Sequence, residues 1–558
     1  MDAETLKQIL AVDQIGIPIL SLVIFLPLTG FVAVAMAESE GMIRWITLIT
    51  VLADFLLSLA MLPNFVIGVP DMQFVEHLPW ISPLGIGYHV GVDGISLLLI
   101  LLTTFLGVLV IVFSWKTVNT MVKGYMLCLL LLQTTMIGVF AALDLILFFL
   151  FWEIMLIPMY FLIKLWGGAN REYASLKFVV YTLLGSVLML VGFVILYLNY
   201  HDFAEAQRLS PAYSFDFLHL LSAPLSTEKQ LLIFLLIFFG FAIKVPMFPF
   251  HTWLPDAHTE APTAGSVVLA GVLLKMGTYG FIRFSLPLLP EASRLFVPFM
   301  SVLAVIGIVY GAFLALAQFK ATGDMKRLIA YSSVSHLGFV VLGLFSLNTQ
   351  GIQGGVIQML NHGISTGGLF LIVGFLYERR HTRQISEYGG LMKRLPVLAS
   401  FFLIISLSSM GVPGTNGFVG EFLILTGAFK RNWHYAVWAM AGVILGASYL
   451  LWLFYRLVVA DTDNPKNEAL PDLDWRERGI CTALLVLILW VGLYPSIFLD
   501  IIEGPVKHVI GRLGESGVMV EGPSGLEALF AKDPPRDTGA KLPAGSGALI
   551  DLSTRSSP

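Results

Sequence analysis

The chain has 558 residues, 57% of them hydrophobic and only 13% charged, with a net charge of −4 and a mean hydropathy of +0.83. A soluble chain of this length divides into domains with polar surfaces and about 25% charged residues, so the composition excludes a water-soluble globular protein and makes lipid the solvent. The charge balance, with no basic patch carrying interleaved aromatics, excludes a nucleic-acid partner. The two cysteines, Cys128 and Cys481, have no CxxC spacing, which removes iron–sulfur and structural zinc sites, and no metal is expected.

The N-terminal stretch MDAETLKQILAVDQ is acidic ahead of the first apolar run. A signal peptide carries basic residues there, so that run reads as a retained anchor. A spanning helix needs about 20 apolar residues. Fourteen such runs follow one another, at 15–36, 42–62, 92–115, 124–142, 144–166, 173–198, 229–252, 262–285, 295–318, 328–346, 352–377, 396–427, 434–457 and 479–502.

The seventh run is interrupted by Pro246 and Pro249 in FAIKVPMFP, and the twelfth by Pro413 in SSMGVPGTNGFVGEF. Each break falls four helices into a five-helix block, and an odd block length inverts the second block relative to the first. The expected fold is an all-α integral membrane protein of about 14 transmembrane helices, with two inverted five-helix repeats (helices 4–8 and 9–13) and broken helices 7 and 12, a transporter pattern. The corresponding segments are 1–123 with three helices, 124–285 and 286–457 with the repeats, 458–502 with a loop and the last helix, and 503–558. The last of these is polar and rich in Gly, Pro and Ser, and is expected to be disordered.

Lysines and arginines of short loops set orientation. Eighteen of them, including Arg171, Lys326, Arg383 and Arg394, fall on one side of the fourteen runs, against seven, including Lys430 and Arg431, on the other. The first side is expected to be cytoplasmic, with both termini periplasmic.

Four charged residues lie at membrane depth. Glu153 is nine residues past Asp144, about 14 Å into its run; Lys244 is about 22 Å past Lys229; Lys275 is about 20 Å past Pro262. Glu421 lies nine residues before Lys430. A charge at a helix centre costs about 2.5–3.5 kcal/mol on insertion, so these positions are candidates for function. His336 in LIAYSSVSHLGF and His362 in MLNHGISTGGLF join them, because imidazole exchanges protons near neutral pH. His251 and His258 follow the first break and suit a loop at an entry mouth.

A break at membrane depth exposes backbone groups that only water or protein can satisfy. Desolvation eases proton release from a lysine, and a neighbouring carboxylate opposes it. Glu153 moving toward or away from Lys244 is therefore expected to switch whether Lys244 keeps its proton. The helical spacing of Glu153 and Ile157 further suggests that a carboxylate at 157 could replace one at 153.

FAIKVPMFPFHTWLPDAHTEAPTAGSVVLAGVLLKMGTYG resembles the signature of the antiporter-like, proton-translocating subunits of respiratory complex I. KATGDMKRLIAYSSVSHLGFVVLG and VGVDGISLLL resemble two further blocks of the family, and the likeness covers about residues 15–502. The resemblance implies that Glu153 and Lys244 form a coupling ion pair, Lys275 is the central relay, His336 and His362 continue the row, and Glu421 ends it. A glutamate at the position of Glu421 marks one branch of the family, where two sister subunits carry lysine. The resemblance further implies one proton-pumping membrane-arm subunit of NADH:quinone oxidoreductase in a bacterial inner membrane, beside its sister subunits. No cofactor is expected in this chain; NADH, FMN, iron–sulfur clusters and quinone are expected in its partners. A subunit of a multisubunit sodium/proton antiporter or of a membrane-bound hydrogenase shares the signature, and a scaffold with a vestigial channel is a third reading.

Overall fold

In lipid only an internal hydrogen-bond ladder satisfies the backbone, so apolar runs become helices. The computed structural model describes residues 8–460 and 464–514, and among them eleven helices are long and apolar enough to cross a membrane. The helices used below are α1 (Ile19–Met36), α2 (Glu40–Leu59), α3 (Gly94–Thr117), α4 (Val122–Ala141), α5 (Leu145–Ile154), α6 (Leu156–Trp166) and α7 (Arg171–Gln207). They continue with α8 (Thr227–Lys244), α9 (Trp253–Glu260), α10 (Thr263–Leu288), α11 (Val297–Ala321), α12 (Met325–Leu344) and α13 (Thr349–Arg380). The last five are α14 (Pro396–Ser409), α15 (Asn416–Arg431), α16 (Trp433–Phe454), α17 (Trp475–Leu493) and α18 (Ser496–Gly514).

Helices α10 and α13 are buried along their whole apolar stretch, whereas α2 and α16 are only 33% buried. The centre of the bundle is therefore α10 against α13, with the lipid-facing helices around it. Aspartates start several of the inner helices: Asp93, Asp144 and Asp324 each accept from two backbone amides at the N-terminus of α3, α5 and α12.

Both expected breaks are present. Helix α8 stops at Lys244 because Pro246 has no N–H for the Ala242 carbonyl. Met247 N supplies a bond to that carbonyl at 2.9 Å, and the Trp253 indole caps Ile243 O at 2.9 Å. Pro249 follows in the turn before α9. Between α14 and α15, Gly411 and Gly414 take φ of 70° and 89° on either side of Val412 and Pro413, a region open to glycine. The run 145–166 holds a third interruption. It divides at Met155, where Pro158 withholds an N–H from the Ile154 carbonyl.

Three further departures from expectation have local causes. Strands β1 (Gln8–Leu10), β2 (Met72–Ile81) and β3 (Ile86–Val92) form a small sheet in the order β1-β2-β3, so the chain is not helical throughout. The β2–β3 hairpin turns at Ser82–Leu84 onto Gly85, whose φ is 65°. The last run ends at Leu493: Tyr494, placed before Pro495, leaves the helical region, and α18 departs at 69° to α17. The tail boundary at 503 thus falls inside α18, and residues 515–558 of the expected disordered tail lie outside the described residues. Finally, His251 lies in a single helical turn and His258 in α9, not in an open loop, and both are buried.

Helix α18 lies back across the bundle. A Cβ at Gly94 would come 1.9 Å from Ile501 O, so only glycine admits this approach at the start of α3.

Candidate functional site

Helix α10 is not a regular α-helix. Two π turns, Leu269–Leu273 and Phe281–Ser285, interrupt it, and Lys275 lies just after the first. The wide turn leaves the Ala270 carbonyl free of an ordinary ladder bond, and the Lys275 ammonium donates to it. On its other side Lys275 Nζ stands 2.6 Å from His362 Nδ1 of α13. The His362 ring lies 5.9 Å, centroid to centroid, from that of His336 on α12. His336 Nδ1 is 3.2 Å from Glu421 Oε1 of α15, and Gln358 Nε2 donates to the same oxygen at 3.4 Å. The structure thus brings four of the sequence-predicted residues, from four helices, into one buried file.

The Glu421 end is built by the second break. A Cβ on Gly411 would meet Glu421 Oε2 at 2.6 Å, so the glycine makes room for the carboxylate. Asn361 Nδ2 donates to Asn416 O at 2.6 Å and to Gln358 Oε1 at 3.2 Å, which ties α13 to the start of α15 and fixes the amide facing Glu421.

Glu153 and Lys244 are near one another in the fold but are not joined by an ion pair in this structure. Lys244 is 1% exposed; its ammonium sits 4.8 Å over the Trp152 ring and 3.8 Å from Met155 Sδ. Glu153, in the last turn of α5, leaves Oε1 without a partner among the described residues. The interruption at Met155 also turns Ile157 outward, 54% exposed, so position 157 does not share the face of Glu153.

Several polar residues are placed otherwise than the sequence suggests. Lys326, counted among loop charges, is 4% exposed, and its ammonium donates to Ala261 O at 2.7 Å and Ser266 Oγ at 3.3 Å. A cavity of about 460 Å3 opens beside it, lined among others by Glu260, Arg171, Thr263 and Arg383. His258 is fully buried, stacked 4.7 Å from Phe370, with both ring nitrogens unpartnered among the described residues. Arg283 pairs with Asp93 at 2.6 Å inside the protein, which explains the aspartate of VGVDGISLLL. The signal for Lys326 was its place two residues after a helix-capping aspartate, which puts it inside the first turn of α12.

The family described as NADH:quinone oxidoreductase/Mrp antiporter, TM, matches residues 142–446. NADH-quinone oxidoreductase subunit M of Rhodobacter capsulatus is 46% identical over 504 residues, covering 88% of this chain and 96% of that protein. NADH-ubiquinone oxidoreductase chain 4 of Marchantia polymorpha is 41% identical, covering 88% of this chain and 97% of that one. A subunit in the structure of respiratory complex I from Thermus thermophilus is 32% identical, with a TM-score of 0.80 over 89% of this chain and 100% of that one. A chain of the Mrp complex of Dietzia shares the fold at 20% identity and a TM-score of 0.76, over 89% and 98% of the two chains. Sequence signature, broken-helix architecture and extent of match agree, and the chain belongs to the membrane-subunit family shared by NADH:quinone oxidoreductases and Mrp antiporters.

Proposed function

We propose that this chain is a proton-translocating membrane-arm subunit of a bacterial NADH:quinone oxidoreductase, the counterpart of subunit M, working in the inner membrane beside sister antiporter-like subunits. NADH oxidation, FMN, iron–sulfur clusters and quinone reduction are assigned to the partner subunits, and this chain moves protons. The observation that carries the reading is the buried file Lys275–His362–His336–Glu421, with two direct polar contacts of 2.6 and 3.2 Å.

Protons enter from the side of the cavity at Lys326, which faces the cytoplasm on the loop-charge count. His258, buried and free to accept or donate at either nitrogen, stands on the way to Lys275. Lys275 passes a proton to His362 across their contact. His362 Nε2 and His336 Nε2 make no hydrogen bond among the described residues, and one bridging water would join the two rings. His336 and Glu421 then deliver the proton to the opposite half of the bundle.

Glu153 and Lys244 control the step. Trp152 and Met155 hold the ammonium away from the carboxylate in the arrangement seen here. Bringing the two side chains together recruits the charge of Lys244 to Glu153 and changes the field felt by the central file. At about 4 Å and an effective dielectric near 20, such a pair interacts by about 4 kcal/mol.

The test is co-purification of the tagged chain together with NADH-driven proton uptake in inverted membrane vesicles. Recovery with NADH-oxidising and quinone-reducing subunits, and loss of uptake in the assembled Lys275→Ala complex, is the expected result. Recovery with antiporter subunits that lack NADH-oxidising partners overturns the assignment.

A further inference from the structure

The β2–β3 hairpin carries a side-chain cluster that plays no part in the proton file. His77 and His89 are directly opposed across the two antiparallel strands, so their side chains leave the same face. Their rings meet edge to face with centroids 4.8 Å apart. Asp216, from the segment before the short helix Phe217–Ser222, reaches the same place, and its Oδ2 is hydrogen-bonded to His89 Nδ1. One donor atom from each of the three residues lies within 4.8 Å of the other two.

The hydrogen-bond pattern fits a ligand set. The Asp216 carboxylate accepts from Nδ1–H of His89, so Nε2 is the ring nitrogen left to bind. That nitrogen is buried, in a residue 2% exposed, and has no partner among the described residues. An imidazole oriented by a carboxylate through one nitrogen and offering the other is the usual state of a metal-binding histidine. Gly87 leaves space for the second ring: a Cβ there would come 3.2 Å from His77 Nε2. His219, the next histidine in the region, is occupied, with Nδ1 2.8 Å from Ser214 Oγ.

We propose that His77 and His89, the latter held through Nδ1 by Asp216, form a binding site for a borderline divalent transition metal, Zn2+ in the first instance. The two imidazoles supply two ligands, and exposed His77 leaves the remaining positions open to water, with Asp216 orienting His89 from behind. The set does not suit Mg2+ or Ca2+, which take oxygen ligands. The exclusion of zinc from the cysteine spacing does not reach this set, which contains no thiolate. Through the hydrogen bond between His89 and Asp216, an ion here would reinforce the tie between the hairpin and the segment before Phe217. Through the 2.9 Å bond from Leu143 N to His89 O, it would also fasten the hairpin to the start of α5, the helix that ends with Glu153.

The experiment uses the assembled complex, stripped with a chelator and titrated with Zn2+, with bound zinc measured by elemental analysis and its ligand shell by X-ray absorption. The expected result is one more tightly bound zinc per complex in the wild type than in His77→Ala, with an imidazole shell that disappears in the variant. His77 is exposed, so its replacement leaves the fold intact, and His77→Cys restores a ligand and restores binding. Asp216→Asn keeps a helix-capping oxygen but weakens the affinity by about 10–100-fold. Equal zinc uptake by wild type and His77→Ala, or displacement of the ion by equimolar Mg2+ or Ca2+, overturns the proposal.

Discussion

Lys275 of α10 and His362 of α13 face one another 2.6 Å apart at the centre of the bundle, with both side chains almost completely sealed from solvent. No carboxylate lies within ion-pair distance of this lysine among the described residues. Its neighbours are an imidazole and a carbonyl, which makes the contact one through which a proton can pass in either direction.

Lys275→Ala should lower NADH-driven proton uptake by more than about tenfold, equivalent to a barrier raised by about 1.4 kcal/mol, while the complex still assembles. Lys275→Arg should fail as well, because guanidinium does not give up its proton at accessible pH. Uptake in inverted vesicles, normalised to assembled complex, checks both, and wild-type uptake by either variant removes Lys275 from the path.

Glu153→Gln should strongly reduce coupled turnover, and Glu153→Asp should retain part of it. The double variant Glu153→Gln with Ile157→Glu should not recover activity, because Ile157 points outward beyond the interruption at Met155. NADH:quinone turnover measured together with proton uptake decides the matter. Recovery in the double variant would mean that α5 and α6 straighten into one helix in the working complex.

Gly411→Ala should reproduce much of the effect of Glu421→Gln. The added methyl would lie 2.6 Å from Glu421 Oε2 and would hold a left-handed backbone, at a cost of about 1–2 kcal/mol. Displacing the carboxylate from His336 should cut proton uptake severalfold. Gly479→Ala, with open space around its Cβ, serves as the control that should leave uptake unchanged.

Single cysteines at Arg171 and Arg394, both exposed, should react with an impermeant thiol reagent from the cytoplasmic side only, and a cysteine at Lys430 from the periplasmic side only. Labelling in the reverse sense would invert the direction assigned to the whole path.

Much of the central file was legible from depth alone. A lysine about 20 Å into an apolar run cannot reach either interface, so Lys275 had to face protein, and the histidines two and three runs further on were natural neighbours. The pairing of Glu153 with Lys244 was a different kind of inference: sequence position supplies depth but not rotamer, and the aromatic face of Trp152 competes for the ammonium. Arg283 and Asp93 are 190 positions apart, and nothing in the spacing of either predicts their contact. The hairpin was hidden for another reason. QFVEHLPW and IGYHVGV alternate over too few residues to stand out between long apolar helices, although Ser82–Pro83 and Gly85 marked its turn. Lys326 reads as a loop charge because its apolar run begins at 328, while Asp324 starts the helix earlier and turns the lysine inward.

The two π turns of α10 give its middle a distinct mechanical character. Between them lies the short stretch Leu274–Gly280, with Lys275 near its first end. A π turn stores one surplus residue, and releasing it into an ordinary turn rotates everything beyond it by one residue's share of a 3.6-residue turn, about 100°. With such a reserve at each end, the stretch resembles a swivel between two bearings: its ends can stay anchored while the part between them is re-aimed. The lysine is mounted next to one of these yielding points, and the surrounding helices serve as its housing.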